Sequence, residues 1–147
     1  MFKKIAAVLT VIMGMAIAMP ALAQGVNHKI VFHVDENDAK LMNMTLNNVQ
    51  NVTNYFESIG DTVEIQVVAY GPGLNMFRAD TSPVADRIAT MSLSIDNLTF
   101  AACGNTMRKM EEASGNPVEL LDEAEVVTSG VVQIVLLQEA GWSYVRP

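Results

Sequence analysis

From His28 onward the hydrophobic pattern switches repeatedly between a period of two and a period of three to four. "KIVFHV" (29–34) is a short β-branched run, and "DENDAK" after it offers acids and Asn37 as helix-capping residues. Met42, Leu46, Val49, Val52, Phe56 and Ile59 then recur at steps of three and four, with asparagines between them. That spacing predicts an amphipathic helix with one buried face, stopped by Gly60. "TVEIQVVAY" (62–70) alternates Val63, Ile65 and Val67 against Thr62, Glu64 and Gln66, the pattern of an edge strand half solvated at its start. "GPGLN" (71–75) reads as a backbone-permissive loop. In "SPVADRIATMSLS" Ser82 is expected as N-cap, with Pro83 at the first helical position. "LTFAAC" (98–103) is a third strand and "NTMRKMEEAS" (105–114) a short helix closed by Gly115. "AEVVTS" (124–129) reads as a strand, "GVVQIVLLQEA" as a helix and "WSYVRP" as a last short strand. Strands separated by helices need crossover connections, so the expected fold is one α/β domain with a mostly parallel sheet covered on both faces.

The first residues follow a different rule. Lys3 and Lys4 precede an apolar stretch from Ile5 to Met19, and Pro20, Ala21, Leu22 and Ala23 follow it. That is a charged n-region, an apolar h-region and an A-x-A cleavage site, so residues 1–23 are expected to be a cleaved signal peptide and 24–147 a periplasmic domain. The apolar stretch falls short of the ~20 residues of a spanning helix, so no stable membrane insertion is expected. With Lys3 and Lys4 set aside, seven basic side chains face sixteen acidic ones. A nucleic-acid partner needs cations at each phosphate, and this balance argues against one.

Candidate chemistry centres on one residue. Cys103 is the single cysteine, so the chain forms no internal disulfide, and it stands where a strand gives way to a helix. A thiol at a helix start faces unpaired amides and the positive end of the helix dipole, both of which favour thiolate, the nucleophilic form. Against that stands a buried cysteine acting as a small hydrophobe at the end of a core strand.

In open α/β sheets ligands gather beyond the carboxyl ends of the strands. The His33–Asp38 segment, the "YGPGL" loop and Cys103 all fall there. If the cleft holds a small ligand, its candidate contacts are His33, Gly71, Gly73, Asn75, Gly104 and Asn105. His33 can serve as a base or as a packed core histidine. Asp35, Glu36 and Asp38 read as a solvated, helix-capping turn in preference to a Mg²⁺ site, and one cysteine with two histidines gives no zinc spacing. "GPGL" lacks the Walker lysine and does not match the dinucleotide fingerprint, so neither metal nor cofactor is expected.

Taken together, "VVAYGPGLNMF", "FAACGNTM" and the tail "GVVQIVLLQEAGWSYVRP" resemble the DsrE/DsrF-like family of sulfur-relay proteins, over about residues 28–147. The resemblance implies a three-layer α/β/α domain assembled as a homotrimer or hexamer. It also implies a cysteine carrying sulfur as a persulfide, a role that only Cys103 can take here, with a sulfur donor or acceptor protein as partner. An export signal departs from the cytoplasmic relay members. The alternative is a non-catalytic small-ligand-binding or oligomeric interaction module in which Cys103 is structural.

Overall fold

The computed structural model describes residues 25–147; the expected signal peptide lies outside the described residues. Five strands form one sheet: β1 (Asn27–Val34), β2 (Thr62–Ala69), β3 (Leu98–Cys103), β4 (Ala124–Val127) and β5 (Ser143–Val145). They lie in the order β4-β3-β2-β1-β5, and every pairing is parallel. Four α-helices connect them: α1 (Ala39–Ser58), α2 (Ala85–Ser94), α3 (Gly104–Ser114) and α4 (Gly130–Glu139). The result is a three-layer α/β/α domain.

Topology fixes how the layers are filled. The connections from β1 to β4 step one strand at a time in one direction, and the last one returns across the sheet to place β5 beside β1. Crossovers between parallel strands are almost always right-handed, so a reversal of direction puts the connecting helix on the opposite face. Three helices therefore cover one face and α4 alone covers the other. The larger core lies on the three-helix side, where Phe32, Val67 and Phe100 of the sheet meet Met42, Leu46 and Ile88 of the helices. Phe77 and Phe100 pack edge to face there, 5.7 Å apart. Burying each such side chain contributes about 1.5–3 kcal/mol. On the other face a smaller cluster joins Val31, Val68 and Ala101 to Ile134 of α4.

This asymmetry corrects one expectation. β2 is the central strand, not an edge strand. Its polar residues Glu64 and Gln66 alternate because they lie on the face that only α4 covers. Gln66 is satisfied there, donating to Thr99 Oγ1 at 3.1 Å and accepting from Gln133 of α4 at 2.7 Å.

Helix ends bring further corrections. Of the capping candidates after β1, the acid Asp38 caps α1 as expected, accepting from the amides of Lys40 (2.6 Å) and Leu41 (3.2 Å). Asn37 instead accepts from Asn75 Nδ2 at 2.9 Å. The α1 stripe of Met42, Leu46 and Val49 is buried as expected, but Ile59 ends the helix exposed. Gly60, at φ 82°, then takes the left-handed conformation that reverses the chain. α2 starts at Ala85, after Val84, and not at Pro83. Ser82 donates to Met76 O and so ties down the preceding turn instead of capping the helix. The "GPGLN" segment is no open loop: Gly71–Phe77 forms a 3₁₀ helix with Leu74, Met76 and Phe77 buried.

Candidate functional site

At the carboxyl end of the sheet, on the α4 face, four side chains stand in a row across neighbouring strands. Tyr144 comes from β5, His33 from β1, Tyr70 from the end of β2 and Cys103 from the end of β3. Parallel pairing sets the row: His33 is in register with Val68, and Val31 with Tyr144. Side chains two apart share a face, so Tyr70 and Tyr144 rise beside His33. The His33 ring stacks on Tyr70 with centroids 4.5 Å apart, and its Nδ1 lies 2.7 Å from Tyr144 Oη.

Cys103 sits where two helices begin. It is the N-cap residue of α3, and α4 starts against it at Gly130. The approach is close enough that a side chain at Gly130 would press on its neighbours. A Cβ at Gly130 would lie 3.0 Å from the Tyr70 side chain and 3.2 Å from Cys103 Cβ. Cys103 is buried, with 4% of its surface exposed, and burial alone pushes a thiol's pKa up. Hydrogen-bond donors outweigh that effect and hold it below the ordinary value: the Gly130 N–H, the Thr106 hydroxyl and the amides of Thr106 and Asn105. None of these donors closes a hydrogen bond of ordinary geometry on the sulfur, so they act on it as nearby dipoles, and the Asn105 N–H is committed to Thr128 O at 3.2 Å. Of the four donors the Gly130 amide lowers the pKa most and the Thr106 hydroxyl next. Thr106 is well prepared for it. Its Oγ1 accepts the Gly71 N–H at 2.9 Å, which turns its own hydrogen toward another acceptor.

His33 is 5% exposed, and its Nε2 has no hydrogen-bond partner among the described residues. The nearest carboxylate oxygen, Asp35 Oδ2, is 3.9 Å away, too far for a hydrogen bond. Burial lowers the His33 pKa; Asp35 works against this and Arg146 with it. The ring is accordingly neutral near pH 7. Asp35 is held by Arg146 at 3.0 Å, and Arg146 also reaches Glu36 at 3.3 Å, tying the end of β5 to the turn after β1. Tyr70 has its phenol pKa raised by burial first, then by Asp35 and Tyr144, with a smaller contribution from Cys103.

The residues expected to contact a ligand divide into two sets. His33 and Gly71 belong with Cys103 to this cluster, Gly71 through its amide on Thr106. Gly73, Asn75, Gly104 and Asn105 have structural work. A Cβ at Gly73 would lie 2.3 Å from Val34 O, so glycine there lets the 3₁₀ helix pack on β1. Asn75 bonds Asn37 and Thr81 around the same turn. Gly104 passes close to Val127, where a Cβ would meet the carbonyl oxygen at 3.1 Å. Asn105 Oδ1 accepts from Arg108 at 3.1 Å. Sequence reasoning missed Tyr70, Thr106, Gly130, Tyr144 and Arg146 as site residues. The roomy groove between α1 and α2, about 540 Å³, lies elsewhere and is lined by residues such as Asn47, Gln50 and Arg87.

Comparison with solved structures finds the same architecture in a protein of unknown function, MTH1491, from Methanobacterium thermoautotrophicum. The two chains are 37% identical over 82% of this chain and 99% of that one, with a TM-score of 0.69. The chain belongs to the same family as MTH1491. No family model and no curated protein matches the chain. The likeness thus establishes kinship and fold, and the reading of the site rests on its own geometry.

Proposed function

We propose that this is an exported DsrE/DsrF-like protein whose Cys103 carries sulfur as a persulfide. The observation that supports the reading is the convergence of two helix starts on a single thiol, with the Gly130 amide and the Thr106 hydroxyl favouring thiolate. A thiolate attacks a terminal sulfur of an inorganic polysulfide. The Cys103 S–S bond forms, the attacked sulfur's bond to the rest of the chain breaks, and the shortened polysulfide leaves with the bonding pair. The product is a persulfide anion, which the same donors are placed to hold. The protein acts as a carrier in this reading, and the neutral His33 and the two tyrosines stand on the same sheet face as the sulfur.

Burial of Cys103 favours a second reading, a binding module with a structural cysteine. One experiment separates the two. Native protein treated with polysulfide should gain the mass of a sulfur atom, and Cys103→Ser should gain none. A thiol that resists both polysulfide and alkylating agents until the chain is denatured would sink the carrier reading.

A further inference from the structure

Helix α1 carries no charged residue from Leu41 through Phe56, although residues 25–147 as a whole hold sixteen acidic and seven basic side chains. Carboxamides take the place of charges there, and asparagine is a poor helix former where glutamate or lysine ordinarily stands. Asn43, Asn47 and Asn51 recur every four residues and so share one face. Asn47, Gln50 and Asn51 line the groove of about 540 Å³ between α1 and α2, together with Asp86, Arg87 and Thr90 of α2. That is the volume of a small-molecule site. Internal hydrogen bonds fix what the lining offers. Arg87 Nη2 donates to Asn47 Oδ1 at 2.9 Å, which leaves the Asn47 amino group as a donor. Gln50 Nε2 donates to Asn54 Oδ1 at 2.8 Å, which leaves Gln50 Oε1 as an acceptor. Thr90 gives its hydroxyl hydrogen to Asp86 O at 2.8 Å and keeps its oxygen as an acceptor. Arg87, unlike Arg78, Arg108 and Arg146, has no carboxylate partner among the described residues.

We propose that this groove binds a neutral saccharide. The lining selects the class, because it sets fixed donors (Asn47 and Arg87) beside fixed acceptors (Gln50, Thr90 and Asp86). A saccharide hydroxyl donates and accepts from one oxygen and can serve both kinds of neighbour. A carboxylate or phosphate only accepts, so it would strand the acceptors and meet the Asp86 carboxylate on a molecule that is already acidic. A cation only donates, and it would meet a guanidinium whose charge no carboxylate neutralises. An apolar ligand would leave every one of these groups without a partner. Side chains already held by internal bonds lose little freedom when the ligand arrives, which favours binding. The groove lies apart from Cys103, and the proposal does not depend on what that residue carries.

The test is a nuclear magnetic resonance titration of the exported protein, produced from the full chain, that follows the side-chain amide signals of Asn47, Gln50 and Asn51. The probes are maltose, cellobiose and di-N-acetylchitobiose. At least one should move these signals saturably, with a Kd of about 1 mM or weaker, because the lining holds no aromatic ring to add stacking. Asn47→Asp keeps the oxygen that Arg87 holds and exchanges the donor for an acceptor, so the fold should persist and the affinity fall roughly 2- to 12-fold. Should that variant unfold, Asn51→Ala takes its place with the same expectation, since Asn51 is exposed and makes no hydrogen bond to the described residues through its side chain. Signals that none of the three saccharides moves, or an affinity that the substitution leaves intact, overturn the proposal. Tighter binding of acetate, or of the neutral peptide N-acetyl-triglycine amide, overturns it in favour of an anion or a peptide.

Discussion

Replacing Thr106 with valine removes one hydroxyl and almost no volume, and the structure says what that should do to Cys103. In the native chain the Gly71 amide donates to Thr106 Oγ1 at 2.9 Å, and the Thr106 hydroxyl is among the groups that hold the Cys103 pKa down. A hydrogen bond to a charged group contributes about 1.5–3 kcal/mol. Each 1.36 kcal/mol is a factor of ten in ionisation, so the thiolate population at neutral pH should fall roughly 10- to 100-fold. The more basic thiolate is also the better nucleophile, with a Brønsted slope of about 0.4–0.5, which restores about half of the loss on a logarithmic scale. The net expectation is an alkylation rate at pH 7 reduced roughly 3- to 12-fold, a rate profile displaced to higher pH, and a limiting rate at alkaline pH raised by roughly the same 3- to 12-fold. Thr106→Ser keeps the hydroxyl and should restore the native profile. The assay is stopped-time iodoacetamide labelling followed by intact mass, read from pH 5 to pH 10. Coincident profiles for Thr106→Val and the wild type would refute the argument, because a hydroxyl that merely packs beside the sulfur has no influence on its ionisation.

Two further outcomes follow from the same cluster. Gly130→Ala should destabilise the protein by about 1–3 kcal/mol in urea titration, since the new methyl meets Tyr70 at 3.0 Å and Cys103 Cβ at 3.2 Å in a site with no slack; stability equal to the wild type would show that α4 can slide. Buried His33 resists protonation in the folded state, whereas the unfolded chain takes the proton near pH 6.5. Stability should therefore be complete above that value and decline as pH falls from it toward the lowered folded pKa, where the slope ends. Urea midpoints measured between pH 5 and 8 should show this decline in the wild type and lose it in His33→Gln, and equal slopes in the two would assign the effect to another group.

The order and type of the elements were legible because each strand and helix carries its own period and its own punctuation. Gly60 and Gly115 sit at positive φ at the ends of α1 and α3, where the sequence placed the stops. What could not be read locally was determined by topology. β2 looks half solvated because one face of the sheet has a single helix, a consequence of strand order that no window of nine residues contains. The same limit applies to the site. Cys103 was visible as a lone thiol before a helix, but Gly130 and Tyr144 reach the site through the return crossover and a parallel pairing, at sequence distances a motif cannot span. The cue that was available lay in α4 itself. "GVVQIVLLQ" has no polar stripe, and a helix without one announces contacts on all sides.

The lone helix on one face and the meeting of two helix starts at Cys103 have a common origin. Had the chain continued outward after β4, its last helix would have joined α1, α2 and α3, and Cys103 would face only the start of α3. The reversal to β5 carries α4 over the opposite face, and the start of that helix falls on the ends of β2 and β3. It adds a second set of unpaired amides to the sulfur, from a direction the first helix cannot supply. It also leaves the sheet thinly covered, so the outer side of α4 stays apolar. A substitution that lifts α4 off the sheet should therefore displace the Cys103 alkylation profile to higher pH, whereas Val132→Glu on its outer side should leave the Gly130 amide beside Cys103 and the profile unchanged.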